Sequence, residues 1–587
     1  MSTSPPPHAH EVGPLDELRD EGRRVVRVDG RAILVVHHED EVRAVDNRCP
    51  HMGFPLARGT VDDGVLTCHW HHARFALSCG DTFDPWADDV PSYPTEVVDG
   101  VVYVDPNPSN DRPPAERWAE RLDDGLERSL RLVVAKSVIG LLDADVAPTS
   151  PLEAGVRFGV RYRADGWGPG LTILTAMANV LPDLVVEDRK RALYQGLVEV
   201  ADDCAGEPPR FDQDPFDDRD VSRDRLADWL RDTVEVRDAD GAERCLRTAI
   251  AAGYVPEEVA GLLLVAATDH RYLDGGHTMD FVNKACEALD HVGWDHADEV
   301  LPALVTSLTD ATRSEELSSW RQPVDLAARL DETFDRLDHL ADEGRGSAWA
   351  EPDGFVETLL EDDPDRVVET LEDAIAAGAT PRQLARSVAM AAATRVAQFS
   401  TANEFSDWNT VHHTFTYANA VHALARRVSD VDGAVSRAAY RAVFDGAVNV
   451  YLDRFLNSPP ARIPDRGDEN ADVDALLDAL DDTMDREGGV DEAGRLAAHA
   501  LDAGGDVATL KQRLGAALVR EDAGFHTFQA LEAGFAQADR REGDERRVCL
   551  VAVARYLAAH APTRREREQT FTIASRLHRG ETIHGEE

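Results

Sequence analysis

Two short segments hold residues suited to binding iron. Cys49-Pro-His51 is followed, after 16 residues, by Cys68-His-Trp-His71. One Cys and one His on each of two loops can present two thiolates to one iron and two imidazoles to another. Cys49, His51, Cys68 and His71 are therefore candidate ligands of a [2Fe–2S] cluster. Two other readings stand beside this one: a zinc site of two Cys and two His, and four unrelated residues. Zinc fingers usually pair Cys with Cys and His with His, an order not seen here.

A second set lies downstream. GGHTMDFVNKA, VHHTFTYANA and GFHTFQALEA each contain a His-Thr pair, at His277, His413 and His526. In the first two an Asn follows the Thr by five residues, Asn283 and Asn419, and a related stretch, GWGPGLTILTAMANVL, has Leu171 or a neighbour where His would stand. Three imidazoles meeting at one centre would hold a metal, a haem or a substrate, which makes His277, His413 and His526 candidate catalytic residues. Asp269, His270, Asp280, Glu404, Asp407, His412, His422, Glu521 and Asp522 are close enough in sequence to join them. The structural alternative is that Thr caps a helix start and His satisfies backbone carbonyls between packed helices.

The elements that must position these groups differ in texture. Residues 22–46 alternate in short Val- and Ile-rich runs broken by Asp-Gly and a charged turn, the pattern of hairpin strands. TEVVDGVVYV at 95–104 repeats it. The reading is a tail over 1–8, an all-β domain over 9–105, and a stiff polar linker, PNPSNDRPP, over 106–114. From 115 to 587 Ala, Leu, Arg, Asp and Glu dominate, with apolar residues at helical spacing. AIAAG at Ala249–Gly253 is followed by Pro256, and AIAAG at Ala374–Gly378 by Pro381, with a weaker ALDAG copy at Ala500–Gly504. The spacing predicts a helix ended by Gly, a short turn, and in two copies a Pro opening the next helix. ALYQGLVEVADDCAGEPPRF also echoes AVFDGAVNVYLDRFLNSPPARI. The expected fold is multidomain: a β domain, then a large all-α body of about four divergent repeats over roughly 115–230, 231–350, 351–480 and 481–587, stacked or arranged around a pseudo-axis.

CPHMGFPL at 49–56 and CHWHHARFAL at 68–77 resemble the Rieske ferredoxins and the Rieske domains of ring-hydroxylating oxygenases, over residues ~9–105. The resemblance is to the ferredoxin type. The cytochrome bc type has a further disulfide-forming Cys on each loop, at positions that here are Phe54 and Trp70 or nearby. It implies a [2Fe–2S] cluster on Cys49, His51, Cys68 and His71, with a potential toward the low end of the Rieske range, about −150 mV. Family members usually have Pro after the second Cys and Gly after the second His, where this chain has His69 and His72. A Gly there often serves a positive φ, so the usual turn is in question. Cys79 reads as an inert thiol.

The oxygenases also hold a mononuclear iron on an acid, two residues, His, four residues, His. The nearest run is His291–His296, but Ala288 stands where the acid is required, so the oxygenase catalytic domain is not expected. The helical body has a faint resemblance to carboxymuconolactone decarboxylase and AhpD-like proteins, without their Cys-x-x-Cys. Together these imply an oxidoreductase component in which the cluster delivers electrons to a site in the helical body. The alternative is a stand-alone carrier or redox sensor whose repeats dock a partner. An electron-donating reductase or ferredoxin, and a small-molecule substrate, are the implied partners.

Composition narrows the remaining choices. A formal net charge of −48 over 587 residues argues against nucleic acid and anionic membrane surfaces. Four Lys against 58 Arg, with this acidic excess, fits a salt-adapted or halophilic host. There is no run of 18 apolar residues and no signal-peptide pattern at the N-terminus, and seven scattered Cys suggest a reducing cytoplasm.

Overall fold

The computed structural model describes residues 8–109, 112–217, 221–431, 433–581 and 583, and divides into two compact units. One unit comprises residues up to Pro151 and those from Gln569 on; the other is Leu152–Glu568.

Among its described residues the first unit has ten short strands in three antiparallel sheets. β1 (His10–Pro14) pairs with β10 (Val101–Val104), which pairs with β9 (Thr95–Val98). β2 (Arg23–Val28), β3 (Arg31–His38), β4 (Glu41–Asp46) and β8 (Ser92–Tyr93) form the second sheet. β5 (Thr60–Asp62), β6 (Val65–Thr67) and β7 (Arg74–Ala76) form the third. Four hairpins close through two residues of positive φ: Asp29-Gly30, Glu39-Asp40, Asp63-Gly64 and Asp99-Gly100. Such turns match the right-handed strand twist and fix the register. Leu34, Val45, Leu56, Leu66 and Phe75 make one buried cluster, and Cys49 and Cys68 belong to it. The short third sheet thus sets the second Cys-His loop between β6 and β7, and the first follows β4.

A helix, α1 (Leu15–Glu21), follows β1. Helices α2 (Pro114–Glu127) and α3 (Arg131–Asp143) form a hairpin, where the lack of a side chain on Gly140 admits the indole of Trp118. The sequence changes texture at 105–115, yet the compact unit extends past it because side chains of α2 and α3 bond to the β domain.

The second unit is helical. Its centre is a closed ring of four helices: α4 (Pro169–Val180), α5 (His277–Val292), α6 (Asp407–Arg427) and α7 (Phe525–Asp539). α4 touches α5, α5 touches α6, α6 touches α7 and α7 touches α4. One comes from each of the four stretches marked out in the sequence. Outside the ring, Gly253, Gly378 and Gly504 end their helices with φ of 81°, 101° and 82°. In each, the Gly N–H donates three residues back and the next N–H five back, as in Tyr254 to Ala249, Ala379 to Ala374 and Gly505 to Ala500. These are Schellman caps. Pro256 and Pro381 open the following helices.

Candidate metal centres

The two Cys-His loops share one hydrogen-bond frame. In the first, Cys49 N–H donates to Phe54 O at 2.9 Å and Gly53 N–H to Cys49 O at 2.8 Å. In the second, Cys68 N–H donates to Ala73 O at 2.8 Å and His72 N–H to Cys68 O at 3.0 Å. Gly53 and His72 are equivalent positions, with φ of 80° and 65°. The turn questioned in the sequence therefore forms, with a His in the left-handed region where Gly would be relaxed.

These frames bring four donors together. The Cys49 and Cys68 thiols are within hydrogen-bonding reach of each other. His51 and His71 meet edge to face with ring centroids 4.8 Å apart. The hydrogen bond from Cys49 and the backbone N–H groups of Trp70 and His71 bring the Cys68 thiol down to about 6. The same Cys68 contact, with burial, pushes the Cys49 thiol up. Burial, Lys136 and His71 hold His51 down at about 4, in the neutral form that ligates metals. Its Nδ1 is buried with no hydrogen-bond partner among the described residues, a vacancy that costs stability unless something binds there. Two adjacent thiols held by backbone N–H groups, beside two imidazoles with one orphaned nitrogen, fit a cluster with thiolates on one iron and imidazoles on the other. Among the described residues no disulfide joins any of the seven Cys, and the rings of Phe54 and Trp70 pack 6.1 Å apart across the loops. His69 and His72 are exposed, and His69 Nε2 lies 3.3 Å from Thr60 Oγ1.

A third segment closes on the His51 side. The Trp86 ring packs 4.7 Å from that of His51. Arg121 of α2 donates to Pro85 O at 2.7 Å and pairs with Asp88 at 3.1 Å. Lys136 of α3 donates to Pro50 O at 2.7 Å and pairs with Asp88 at 3.0 Å. Burial works against the charge of Asp88, but Lys136 and Arg121 hold its carboxyl below the usual range. Arg48 ties the first loop to Leu577 O at 2.9 Å. None of these contacts was foreseen from sequence, because a lone Lys or Arg has no local signature.

In the helical unit the ring of four helices brings His277, His413 and His526 together. His277 opens α5, His526 is the second residue of α7, and His413 lies in the second turn of α6. One nitrogen from each lies within 4.8 Å of the others, and Nε2 of His413 and His526 are 2.7 Å apart. Burial, His277 and His526 bring His413 down to about 3; burial, His277 and His560 bring His526 to about 4. His277 is lowered by burial. His412 is fully buried 5.2 Å from the ring of His526, and among the described residues neither of its nitrogens has a partner. Three neutral imidazoles converging on one point, with a fourth beside them, suit zinc, copper or iron. One turn below, Gln529 donates to Asp280, whose carboxyl burial raises to about 7. Leu171 lies on α4.

The other neighbours from the sequence are used elsewhere. Asp269 pairs with Arg231, His270 with Glu235 and Glu315, and His422 with Gln537. Glu521 binds Arg565 and Thr563, Asp522 caps residues 566 and 567, and Asp407 accepts from the N–H of Glu404. Asn283 donates to Glu287, and Asn419 accepts from Gln537.

The family described as "Rieske [2Fe-2S] domain" matches residues 8–94. The ferredoxin subunit of 3-phenylpropionate/cinnamic acid dioxygenase from Photorhabdus laumondii is 34% identical over 92 residues, covering 15% of this chain and 87% of that protein. Human apoptosis-inducing factor 3 is 33% identical over 91 residues, 15% of each chain, so the present chain spans only that fraction of its length. The solved ferredoxin of carbazole 1,9a-dioxygenase from Nocardioides aromaticivorans is 27% identical and covers 17% of this chain and 98% of its own, with a TM-score of 0.16. None of these three relatives bears on the helical body.

Proposed function

Since the chain belongs to the Rieske [2Fe–2S] family through residues 8–94, we propose that it is an oxidoreductase component whose cluster sits on Cys49, His51, Cys68 and His71 and feeds electrons to a redox metal at His277, His413 and His526. The cluster supplies one-electron transfer when bound. The protein's part is to hold His51 neutral and half-covered while leaving His71 exposed as the edge nearest a donor. A reductase or ferredoxin fits as that donor, and a small molecule as the final acceptor.

The observation that carries this reading is the meeting of three imidazoles from three helices of the ring, with a fourth, His412, buried beside them and unpartnered among the described residues. Structural His residues between helices normally find carbonyls or carboxylates; here two of them find each other. Tetrahedral coordination at about 2.0–2.1 Å places ligand nitrogens roughly 3.3 Å apart, so the 2.7 Å pair needs only a small opening to admit an ion.

The test is metal analysis of the full chain beside the triple variant His277→Ala, His413→Ala, His526→Ala. The full chain is expected to hold cluster iron plus about one further iron or copper, and the variant to keep the cluster's visible spectrum while losing the extra ion. Equal metal content in the two proteins sinks the helical site. A variant that still passes electrons to an added acceptor at the parent rate favours a carrier whose helices only dock a partner.

A further inference from the structure

Lys136 is one of four lysines in the chain and is 4% exposed. It lies on α3, outside the residues 8–94 that match the Rieske [2Fe–2S] domain. Its ammonium donates to two successive carbonyls of the first ligand loop, Pro50 O at 2.7 Å and His51 O at 3.4 Å. It also donates to Asp88 at 3.0 Å. Asp88 is in turn held by Arg121, which also binds the more exposed Asp124 at 2.7 Å. Of these four charges, only that of Lys136 is bonded directly to the loop bearing His51.

We propose that Lys136 is a positioning residue for the cluster, fixing the His51 loop through its backbone and raising the reduction potential by placing a buried cation beside it. This rests on the ligand assignment above but not on the histidine site of the helical unit. Reduction adds one negative charge, and a cation held nearby in a poorly solvated region stabilises the reduced form more than the oxidised form. The carboxylate of Asp88 opposes this while anchoring the ammonium. Outer contacts of this kind orient ligands and tune potentials in metal sites generally.

The opposite signs of the two charges allow a test that mere loosening of the loop cannot imitate. The midpoint potential and the electron paramagnetic resonance g-values of the reduced cluster are measured in the full chain, in Lys136→Met and in Asp88→Asn. Lys136→Met is expected to shift the potential down and move the g-values, and Asp88→Asn to shift the potential up. Lys136→Arg, which keeps the charge, is expected to stay nearer the parent than Lys136→Met. Shifts of the same sign in the Met and Asn variants, or none in proteins with full cluster content, overturn the proposal. If Lys136→Met holds no cluster, Asp88→Asn decides alone: an upward shift supports the proposal, and no shift or a downward one overturns it. Absence of a cluster from the parent protein would instead remove the ligand assignment itself.

Discussion

Nε2 of His413 and Nε2 of His526 are 2.7 Å apart, though 113 residues separate them in the chain. At that distance one ring must donate and the other accept, so both can be neutral but both cannot be charged. Burial and neighbouring imidazoles bring His526 to about 4, against 6.5 when exposed. A depressed histidine pKa means that the unfolded chain takes up protons first as pH falls. Stability is therefore full above 6.5 and declines from there toward 4. For His526 alone the loss amounts to about 3 kcal/mol. Buried acids such as Asp280, raised to about 7, slope the other way, so the informative quantity is the difference between metal-free parent and His526→Phe. That variant is expected to gain on the parent in thermal midpoint between pH 6.5 and 4. A constant gap across that range would show that His526 is not held neutral.

The matching frames of the two ligand loops make a second, directional prediction. Gly53 and His72 occupy the same position with positive φ, where an L-residue costs about 1–2 kcal/mol. Gly53→Ala is expected to lower the temperature at which cluster absorbance is lost. His72→Gly is expected to raise it, by the equivalent of up to about 1 kcal/mol, since the greater freedom of unfolded Gly offsets part of the gain. Destabilisation by both substitutions would mean that the His72 side chain has a role beyond accommodating the turn.

What could be read from the chain alone follows how locally each feature is encoded. Cys49-x-His51 and Cys68-x-x-His71 are short, rare patterns between strand signals, and their chemistry is legible without any contact map. The β domain and helical body were legible too, because Asp-Gly turns and AIAAG-turn-Pro joints are local. The meeting of His277, His413 and His526 was legible only through the recurrence of the His-Thr pair in three stretches, whose helices the ring gathers at one place. Lys136 was not, since it reaches Pro50 across 86 residues. The acidic neighbours of the His-Thr pairs misled by proximity. Asp269 and Glu521 lie near in sequence, yet Arg231 and Arg565 pair with them.

Gly253, Gly378 and Gly504 play the same capping part but stand in unlike surroundings. A methyl group on Gly253 or Gly504 would meet nothing within 4 Å, so Ala there costs the backbone strain of positive φ, about 1 kcal/mol. On Gly378 it would lie 2.8 Å from Ser347 O and 2.9 Å from Gly344 O, both backbone atoms. Gly378→Ala is expected to lower the chemical-denaturation midpoint clearly more than Gly253→Ala or Gly504→Ala. Equal losses for all three would show that the segment at 344–347 yields freely.

Lys284 lies fully buried between two carboxylates, 2.8 Å from Glu287 and 2.9 Å from Glu532, and Asn179 donates to both acids. Against burial, Lys284 holds Glu287 below the usual carboxylate range, while burial pushes Glu532 above it. Removing the cation leaves two buried acids facing each other, and breaking such a group costs about 3–5 kcal/mol. Without Lys284 the folded pair would bind protons more tightly than the unfolded chain. The folded form is then favoured at low pH, and that advantage disappears as pH rises. Lys284→Met is therefore expected to be far less stable than the parent at pH 8 and closer to it at pH 5. A penalty unchanged by pH would mean that the loss comes from packing of the lysine stem against its neighbours rather than from the stranded carboxylates.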